Sequence, residues 1–360
     1  MMRRLFLILL AIIILGALIL TGCAQQAPAP AEPIKLRWVL PVPPVAVFNT
    51  GMLKPWSEMI EERTAAIGKP VEITFFYVES LVKADEELTS LLAGVMDGCS
   101  NMNVKIFEPG GGIIGVMQLP FLFSNTMAAA QTFMELYEKY PEFQDFYSSV
   151  KLMWYQPTGP ANVISATDKQ IKTLDDFKGL RTWSEGKYGI EMAEAMGSVA
   201  LDIPIIDVYM SLERGGMDYI AKDWEAMIAF RWSEVTKYRT EIPRGLQSGA
   251  LVTAMNWDSW NKLPPDVQEI FEELNGRFMA ELTAENFDNA AAELRGTITE
   301  LDRQAGKSEV YILPEDEFQR WIEVAAQPIY DSWIEDVEAK GLPARAVFED
   351  ALRLADKYSQ

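Results

Sequence analysis

The chain opens with an apolar run from Leu5 to Leu20 that follows two positive charges, Arg3 and Arg4. The run ends at small residues, Thr21 and Gly22. A short basic flank, an apolar core and small residues at its end are typical of an export signal rather than of a membrane-spanning helix. We therefore expect the rest of the chain to lie outside the cytoplasm.

The next segment, residues 24–33, is rich in Pro and Ala and predicts a tether without core-forming residues. After it, apolar positions alternate between the spacing of strands and that of helices. The predicted order is strand 34–40, helix 48–66, strand 71–77, helix 83–94 and strand 100–104. Strands separated by helices in units of about 30 residues indicate a parallel sheet with covering helices.

A second α/β set follows in residues 158–245, with predicted strands at 180–184 and 199–203. Apolar segments at 150–157 and 249–256 flank it on both sides, and we interpret them as strands that cross between two lobes. This pattern predicts two α/β lobes. The predicted boundaries are 34–157 for lobe I, completed by about 246–314, and 158–245 for lobe II.

The last third of the chain is predicted to be helical. Apolar residues recur near helical spacing through 265–306, which predicts one long connecting helix. A break at Gly276 or Gly296 is the alternative, because glycine lowers helix propensity. Residues 315–360 predict C-terminal helices that are separated by a Gly-Leu-Pro turn at 341–343.

Composition excludes several classes of function. The 360 residues carry a net charge of −20, which argues against nucleic acid as a partner. Histidine is absent, so Ser-His-Asp and Cys-His catalysis and imidazole zinc sites are excluded. No spacing of carboxylates indicates an acid–base pair or a calcium loop. We therefore expect no enzyme activity, no cofactor and no metal.

Two residues near a predicted strand end suggest a binding site. Trp183 lies at the carboxyl end of a predicted parallel strand, where open α/β sheets place their ligands. Arg181 precedes it by two residues, so both side chains should project from one face of the sheet. Trp183 is either a pocket residue or a core residue, and Arg181 is either a surface charge or a carboxylate clamp.

Several segments, in shared order and spacing, resemble the solute-binding subunit of tripartite ATP-independent periplasmic (TRAP) transporters of the dicarboxylate-binding type. The resemblance covers about residues 34–357. Its motifs lie at 91–98 (LLAGVMDG), 119–123 (LPFLF), 171–180 (IKTLDDFKGL), 208–218 (VYMSLERGGMD), 251–256 (LVTAMN) and 263–268 (LPPDVQ). The resemblance implies a two-lobed periplasmic-binding-protein type II-like fold with crossing hinge strands and a long lobe-spanning helix. It also implies delivery of a small-molecule solute to TRAP membrane permease subunits.

The end of the signal, residues 20–23, resembles a bacterial lipobox. This resemblance implies cleavage before Cys23, acylation of its thiol and attachment to a membrane through the lipid. An uncleaved N-terminal helical anchor is the alternative. If Cys23 carries lipid, Cys99 is alone and no disulfide can form within the chain, and we expect Cys99 to be buried and inert.

The departures from the family pattern concern the ligand. Family members usually clamp the solute's carboxylate with an Arg at the position of Trp183, and Arg181 here takes the place of a family Lys. A second family Arg is missing from the segment 159–162, and a family Asn corresponds to Lys222. Tyr209 belongs to another matching motif and is a further candidate.

Two hypotheses for the solute follow. In the first, which we favour, Lys222 or Arg181 supplies the cation and the solute is a small organic acid. In the second, Trp183 and Trp224 stack on a neutral or aromatic solute. The residues that would then hydrogen-bond its polar groups are Glu79, Asn162 and Asp223. A ligand-sensing lipoprotein and a secreted carboxylate-based enzyme are the alternatives from other classes.

Overall fold

The computed structural model describes residues 32–184 and 186–359, which form two β-sheets with covering helices. The predicted signal, Cys23 and most of the tether lie outside the described residues. Strands are β1 Ile34–Leu40, β2 Val71–Tyr77, β3 Gly98–Asn103, β4 Lys151–Pro157, β5 Val163–Ala166, β6 Arg181–Trp183, β7 Val199–Leu201, β8 Tyr219–Lys222, β9 Tyr238–Glu241, β10 Ala250–Met255 and β11 Tyr311–Ile312.

Helices surround both sheets. They are α1 Lys54–Ala66, α2 Glu87–Leu92, α3 Thr126–Lys139, α4 Pro141–Phe146, α5 Gly186–Ala195, α6 Val208–Glu213, α7 Trp224–Ala229, α8 Trp232–Val235, α9 Trp257–Lys262, α10 Pro265–Glu273, α11 Gly276–Gln304, α12 Glu315–Trp321, α13 Gln327–Glu338 and α14 Ala344–Tyr358. Short 3₁₀ turns occur at Ala84–Glu86, Val104–Ile106, Pro109–Gln118, Leu174–Phe177 and Ile205–Asp207, and π turns occur at Asn49–Leu53 and Ile322–Ala326.

The first sheet has the strand order β2-β1-β3-β10-β4. Its strands β1, β2 and β3 are parallel, as the alternation of strand and helix predicts. Trp38 of β1 is fully buried, and its indole N–H donates to Ser100 Oγ at 2.9 Å. Gly98 fits beside that ring because a Cβ there would come within 2.4 Å of it. This sheet forms the core of lobe I.

The two predicted crossing strands pair with each other. Strands β4 and β10 run antiparallel, with Ala250 opposite Pro157 at the end that leads toward the second sheet. That sheet has the order β11-β9-β5-β8-β6-β7, in which β6, β7 and β8 are parallel and β5 runs against both of its neighbours. Lobe II is built around it, so the two passages of the chain through β4 and β10 are adjacent.

The predicted single helix at 265–306 is divided, which corrects that prediction. Helix α10 ends at Glu273 and α11 begins at Gly276, whose φ of 54° lies outside the helical region. Asn275 between them is buried and accepts a hydrogen bond of 3.1 Å from the indole of Trp56. This contact with α1 stabilises the non-helical backbone between α10 and α11. The remaining helix has 29 residues, about 44 Å at 1.5 Å per residue.

The C-terminal helices contact both lobes. Helix α12 lies on lobe II, where Glu317 Oε1 accepts from the backbone N–H of Leu174 at 2.7 Å. Helix α14 packs along α3 of lobe I, and Asp350 accepts a hydrogen bond of 2.6 Å from Tyr140 there. The long helix α11 carries the chain from lobe I to β11 in the second sheet, so the π turn between α12 and α13 is a fourth passage between the lobes.

Candidate functional site

Two adjoining cavities lie where the lobes meet. The larger has an empty volume of about 640 Å³ including its mouth, and the smaller about 360 Å³. Gln118 of lobe I and Gln247, which precedes β10, line both cavities and therefore lie where the two adjoin. The larger cavity, which we call the cleft, is lined by Gln118, Ala161, Thr182, Trp183, Ser184, Gly189, Met192, Ala193, Met196, Tyr219, Ala221, Lys222, Leu246, Gln247, Ser248 and Gly249.

Lys222 and Trp183 meet in the cleft because their strands, β8 and β6, are parallel neighbours that both end there. The ammonium of Lys222 lies 5.0 Å from the centroid of the Trp183 ring. The ring is 7% exposed, and its indole N–H donates to the carbonyl of Ile203 at 2.9 Å. A lysine over an indole face is a favourable cation–π arrangement that orders the side chain.

Lys222 is the single charged residue among the described residues that line the cleft. Throughout residues 32–184 and 186–359, no carboxylate forms an ion pair with it. The adjacent Asp223 is close enough to interact electrostatically with Lys222, but its carboxylate caps α7 by accepting from the backbone N–H of Ala226 at 2.9 Å and forms no ion pair with the ammonium. The ammonium is therefore available to an anion that enters from solvent.

Most of the remaining cleft wall is apolar. Met192 lies on α5 and Met196 directly follows its last residue, where its backbone N–H donates to the carbonyl of Met192 at 3.0 Å, so both side chains lie on one side of this segment. Ala221 and Leu246 extend this surface from β8 and from the segment before β10. Thioether and aliphatic side chains favour an apolar ligand body and adapt to its shape.

The other polar groups of the cleft are uncharged. The side chains of Gln118, Gln247, Ser184 and Ser248 line it, and none of the four hydrogen-bonds another described side chain or backbone group. Amides and hydroxyls can donate to or accept from a neutral polar substituent. The cleft thus combines one positive charge, an apolar wall and several neutral hydrogen-bonding groups.

Tyr188 marks the contact between the lobes beside the smaller cavity. Its ring is 5% exposed, and it lies so close to Gly115 of lobe I that a Cβ there would come within 3.3 Å of it. Burial, reinforced by nearby carboxylates, raises the pKa of the Tyr188 hydroxyl above its ordinary value. The neighbouring Lys187 forms an ion pair with Asp336 of α13. Helix α5 therefore brings lobe II against lobe I.

Arg181 is engaged outside the cleft. Its guanidinium binds both carboxylate oxygens of Asp218 at 2.9 Å and donates to the carbonyl of Gly215 at 2.8 Å. Arg181 begins β6, whereas the cleft lies at the other end of that strand, so sharing a face with Trp183 does not bring it into the cleft. The geometry does not favour Arg181 as a carboxylate clamp.

The same arrangement exists in lobe I. Arg37 of β1 donates to Asp97 at 3.0 Å and to the carbonyl of Gly94 at 2.9 Å. In both lobes the Asp ends the pattern Leu-x-x-Gly-x-Met-Asp, at 91–97 and at 212–218. This internal repeat is the sequence signal that would have assigned Arg181 to the framework of lobe II.

Two of the predicted aromatic residues lie away from the cleft lining. Trp224 is 2% exposed in the core of lobe II, and Tyr209 is half-buried beneath the guanidinium of Arg231, which lies 5.8 Å from its ring centroid. The cation of Lys222 already lies over the ring of Trp183. The structure therefore does not assemble Trp183 and Trp224 as two faces of a stacking site.

The predicted hydrogen-bonding residues are also dispersed. Glu79 is exposed just after β2, and Asp223 is buried as the cap of α7, where burial raises the pKa of its carboxyl group. Asn162 precedes β5, and its Oδ1 is buried without a hydrogen-bond partner, although only its neighbour Ala161 lines the cleft. A ligand role for these three residues stays a prediction.

Sequence reasoning missed Gln118, Gln247 and the two methionines. Gln118 directly precedes the Leu-Pro-Phe-Leu-Phe motif, and Gln247 lies between Gly245 and Gly249, but neither position has a periodicity or spacing that indicates a site. Among the described residues, no cluster of three or more Cys, Asp or Glu side chains could hold a metal ion. No helix in the described ranges is both long and apolar enough to cross a membrane.

The sequence profile of the bacterial extracellular solute-binding proteins, family 7, matches residues 44–336. The chain belongs to this family. A curated relative, the outer membrane transporter protein TsaT of Comamonas testosteroni, is 22% identical over 303 residues, which are 81% of this chain and 82% of TsaT.

Solved structures of TRAP solute-binding proteins share the fold. One from Rhodoferax ferrireducens, in complex with copurified benzoate, has a TM-score of 0.78 and 23% identity, covering 91% of this chain and 98% of its own. One from a marine metagenome, specific for aromatic acid ligands, has a TM-score of 0.80 and 21% identity over 92% and 100% of the two chains. The family and the two-lobed fold that the sequence motifs implied are thereby confirmed, and the chain is a TRAP-type solute-binding protein.

Proposed function

We propose that this family-7 protein captures a small organic acid between its lobes and delivers it to a TRAP membrane permease. The observation that carries the proposal is Lys222, the cleft's one charged side chain among the described residues, with which no carboxylate of the described chain forms an ion pair. A carboxylate solute would complete this ion pair. The solved relatives that bind benzoate and 3-hydroxybenzoate support an acid as the solute.

Capture follows from closure of the lobes. The cleft is lined by both lobes, through Gln118 on one side and Lys222 on the other, so a bound solute contacts both. A solute shifts the chain toward its closed state only by the difference between its affinities for the two states. Closure also removes water, which strengthens the contact between the ammonium and the carboxylate.

We further propose that the mature chain is attached to a membrane by lipid on Cys23 and acts outside the cytoplasm. The support is the basic flank, the apolar run and the lipobox-like residues 20–23. A tether would keep the receptor close to its permease, which raises the effective concentration of the docking partner.

The test compares acids with their neutral amides. Residues 24–360 would be titrated by calorimetry with benzoate and benzamide, and with hexanoate and hexanamide, and scattering would be recorded with and without the tighter acid. We expect the acids to bind, the amides to bind more weakly by at least about tenfold, and the radius of gyration to fall on binding. Amides that bind as tightly as the acids would refute recognition of an acid.

A further inference from the structure

The charges around the cleft point to a narrower class of solute, an inference that rests on the proposed function. We propose that the cleft selects a monocarboxylate with an apolar body, whose other substituents are uncharged, over a dicarboxylate. The relatives do not decide between the two classes, since solved TRAP solute-binding proteins hold benzoate in one case and succinate in another.

Few charges among the described residues face a solute in the cleft. Lys222 provides the cleft's one positive charge among the described residues, and no described carboxylate lines the cleft. One carboxylate of the solute can therefore form an ion pair with the ammonium of Lys222. A second carboxylate in the same space would lose hydration without gaining a counter-ion, which is a large cost in a partly enclosed cavity.

The rest of the cleft wall is mainly apolar. Met192, Met196 and Leu246 are at most 8% exposed, and each contributes apolar surface to the cleft. An alkyl or aryl body gains free energy by leaving water for such a surface. The uncharged side chains of Gln118 and Gln247 can hydrogen-bond a hydroxyl or keto substituent where the two cavities adjoin, but neither can neutralise a charge.

The smaller cavity is lined by two lysines, Lys105 and Lys187, which are the other candidates to hold a second carboxylate. Lys187 already forms an ion pair with Asp336, and Lys105 is exposed and already engaged in an interaction within the protein. A solute that reached them would have to pass Gln118 and Gln247 and displace existing interactions. The smaller cavity therefore does not supply the counter-ion that a second charge would need.

The experiment uses pairs of acids that differ by one carboxylate. Residues 24–360 would be titrated with hexanoate against adipate and with benzoate against terephthalate. We expect the monocarboxylate of each pair to bind at least about tenfold more tightly, since the added charge is desolvated without a partner. A dicarboxylate that binds as tightly as its partner, or more tightly, would overturn the inference.

Three variants test which residues determine the selectivity. Met192→Gln places a polar group of similar size in the apolar wall, and we expect it to weaken hexanoate binding by about threefold to tenfold. Met210→Gln is the matched control, since Met210 is 38% exposed on α6 and outside the cleft lining. Dicarboxylate binding that is lost in Lys105→Met would show a second anion site and overturn the inference.

Failure of this inference is distinguishable from failure of the proposed function. If acids bind better than amides but dicarboxylates are preferred, the receptor still recognises organic acids and only the monocarboxylate class is wrong. If no carboxylate binds, or amides bind equally well, both proposals fail.

Discussion

The substitution Lys222→Met tests the anchor of the proposed site. Methionine keeps an unbranched apolar stem against Trp183 but removes the ammonium, which lies 5.0 Å from the centroid of that ring. The variant therefore leaves the shape of the cleft nearly unchanged and removes its one charge among the described residues. We expect affinity for an acid to fall while affinity for its amide is retained.

The size of the loss follows from the setting of Lys222. Two unit charges 4 Å apart attract by about 4 kcal/mol at an effective dielectric constant of 20. Because Lys222 is half-buried, desolvation of both groups offsets part of that attraction. Hydrogen bonds to charged groups contribute about 1.5–3 kcal/mol net. At 1.4 kcal/mol per tenfold, the loss corresponds to about 10-fold to 150-fold in Kd.

Calorimetry with benzoate and benzamide measures this loss. Lys172→Met is the matched control, because Lys172 lies 5.0 Å over the ring of Tyr311, also in lobe II but outside the cleft lining. The control removes the same charge from the same kind of contact and should leave the Kd for benzoate unchanged. If Lys222→Met bound benzoate as tightly as the parent chain, the ammonium would not be the anchor.

Three further changes test other parts of the account. Arg181→Met should lower the melting temperature because Asp218 loses its ion-pair partner, yet it should leave the affinity for benzoate unchanged. A large loss of affinity would show that Arg181 contributes to solute binding. Burial raises the pKa of the Glu87 carboxyl group from 4.5 to about 8. The folded chain therefore holds the carboxyl proton more tightly than the unfolded chain does, and the stability of the fold decreases as the pH rises from about 4.5 to about 8. Glu87→Gln should therefore raise the melting temperature at about pH 8.5 and much less at about pH 5, while the exposed control Glu86→Gln changes little; equal shifts at both pH values would contradict the pKa. The parent chain should incorporate radiolabelled palmitate and Cys23→Ser should abolish that incorporation; a parent chain that incorporates no label would favour the uncleaved helical anchor.

The spacing of apolar residues and the turn signals predicted most of the helices and strands, because both depend on which positions within a short segment are buried. The alternation of 34–40 and 71–77 with helical segments gave the parallel part of the first sheet, and the apolar segments at 150–157 and 249–256 gave the crossing strands. The sequence indicates the break before α11 only as an alternative, because the break depends on the contact between Asn275 and Trp56, which are far apart in sequence.

The site was predictable only in part. The strand-end rule and the family resemblance pointed to Trp183 and Lys222, which both line the cleft. Arg181 lies on the same strand as Trp183, but at the start of β6. The sequence alone does not show that its guanidinium pairs with Asp218 outside the cleft. Gln118 and Gln247 reach the cleft from distant segments through tertiary packing, which no local pattern records.

A crystal structure of the chain grown with saturating benzoate or hexanoate, whichever binds more tightly, tests the central claim most directly. The account predicts a closed cleft with the carboxylate about 2.7–3.2 Å from Nζ of Lys222 and the apolar body against Met192 and Met196. A carboxylate held at another position, or a calorimetrically bound acid found outside the cleft, would contradict it.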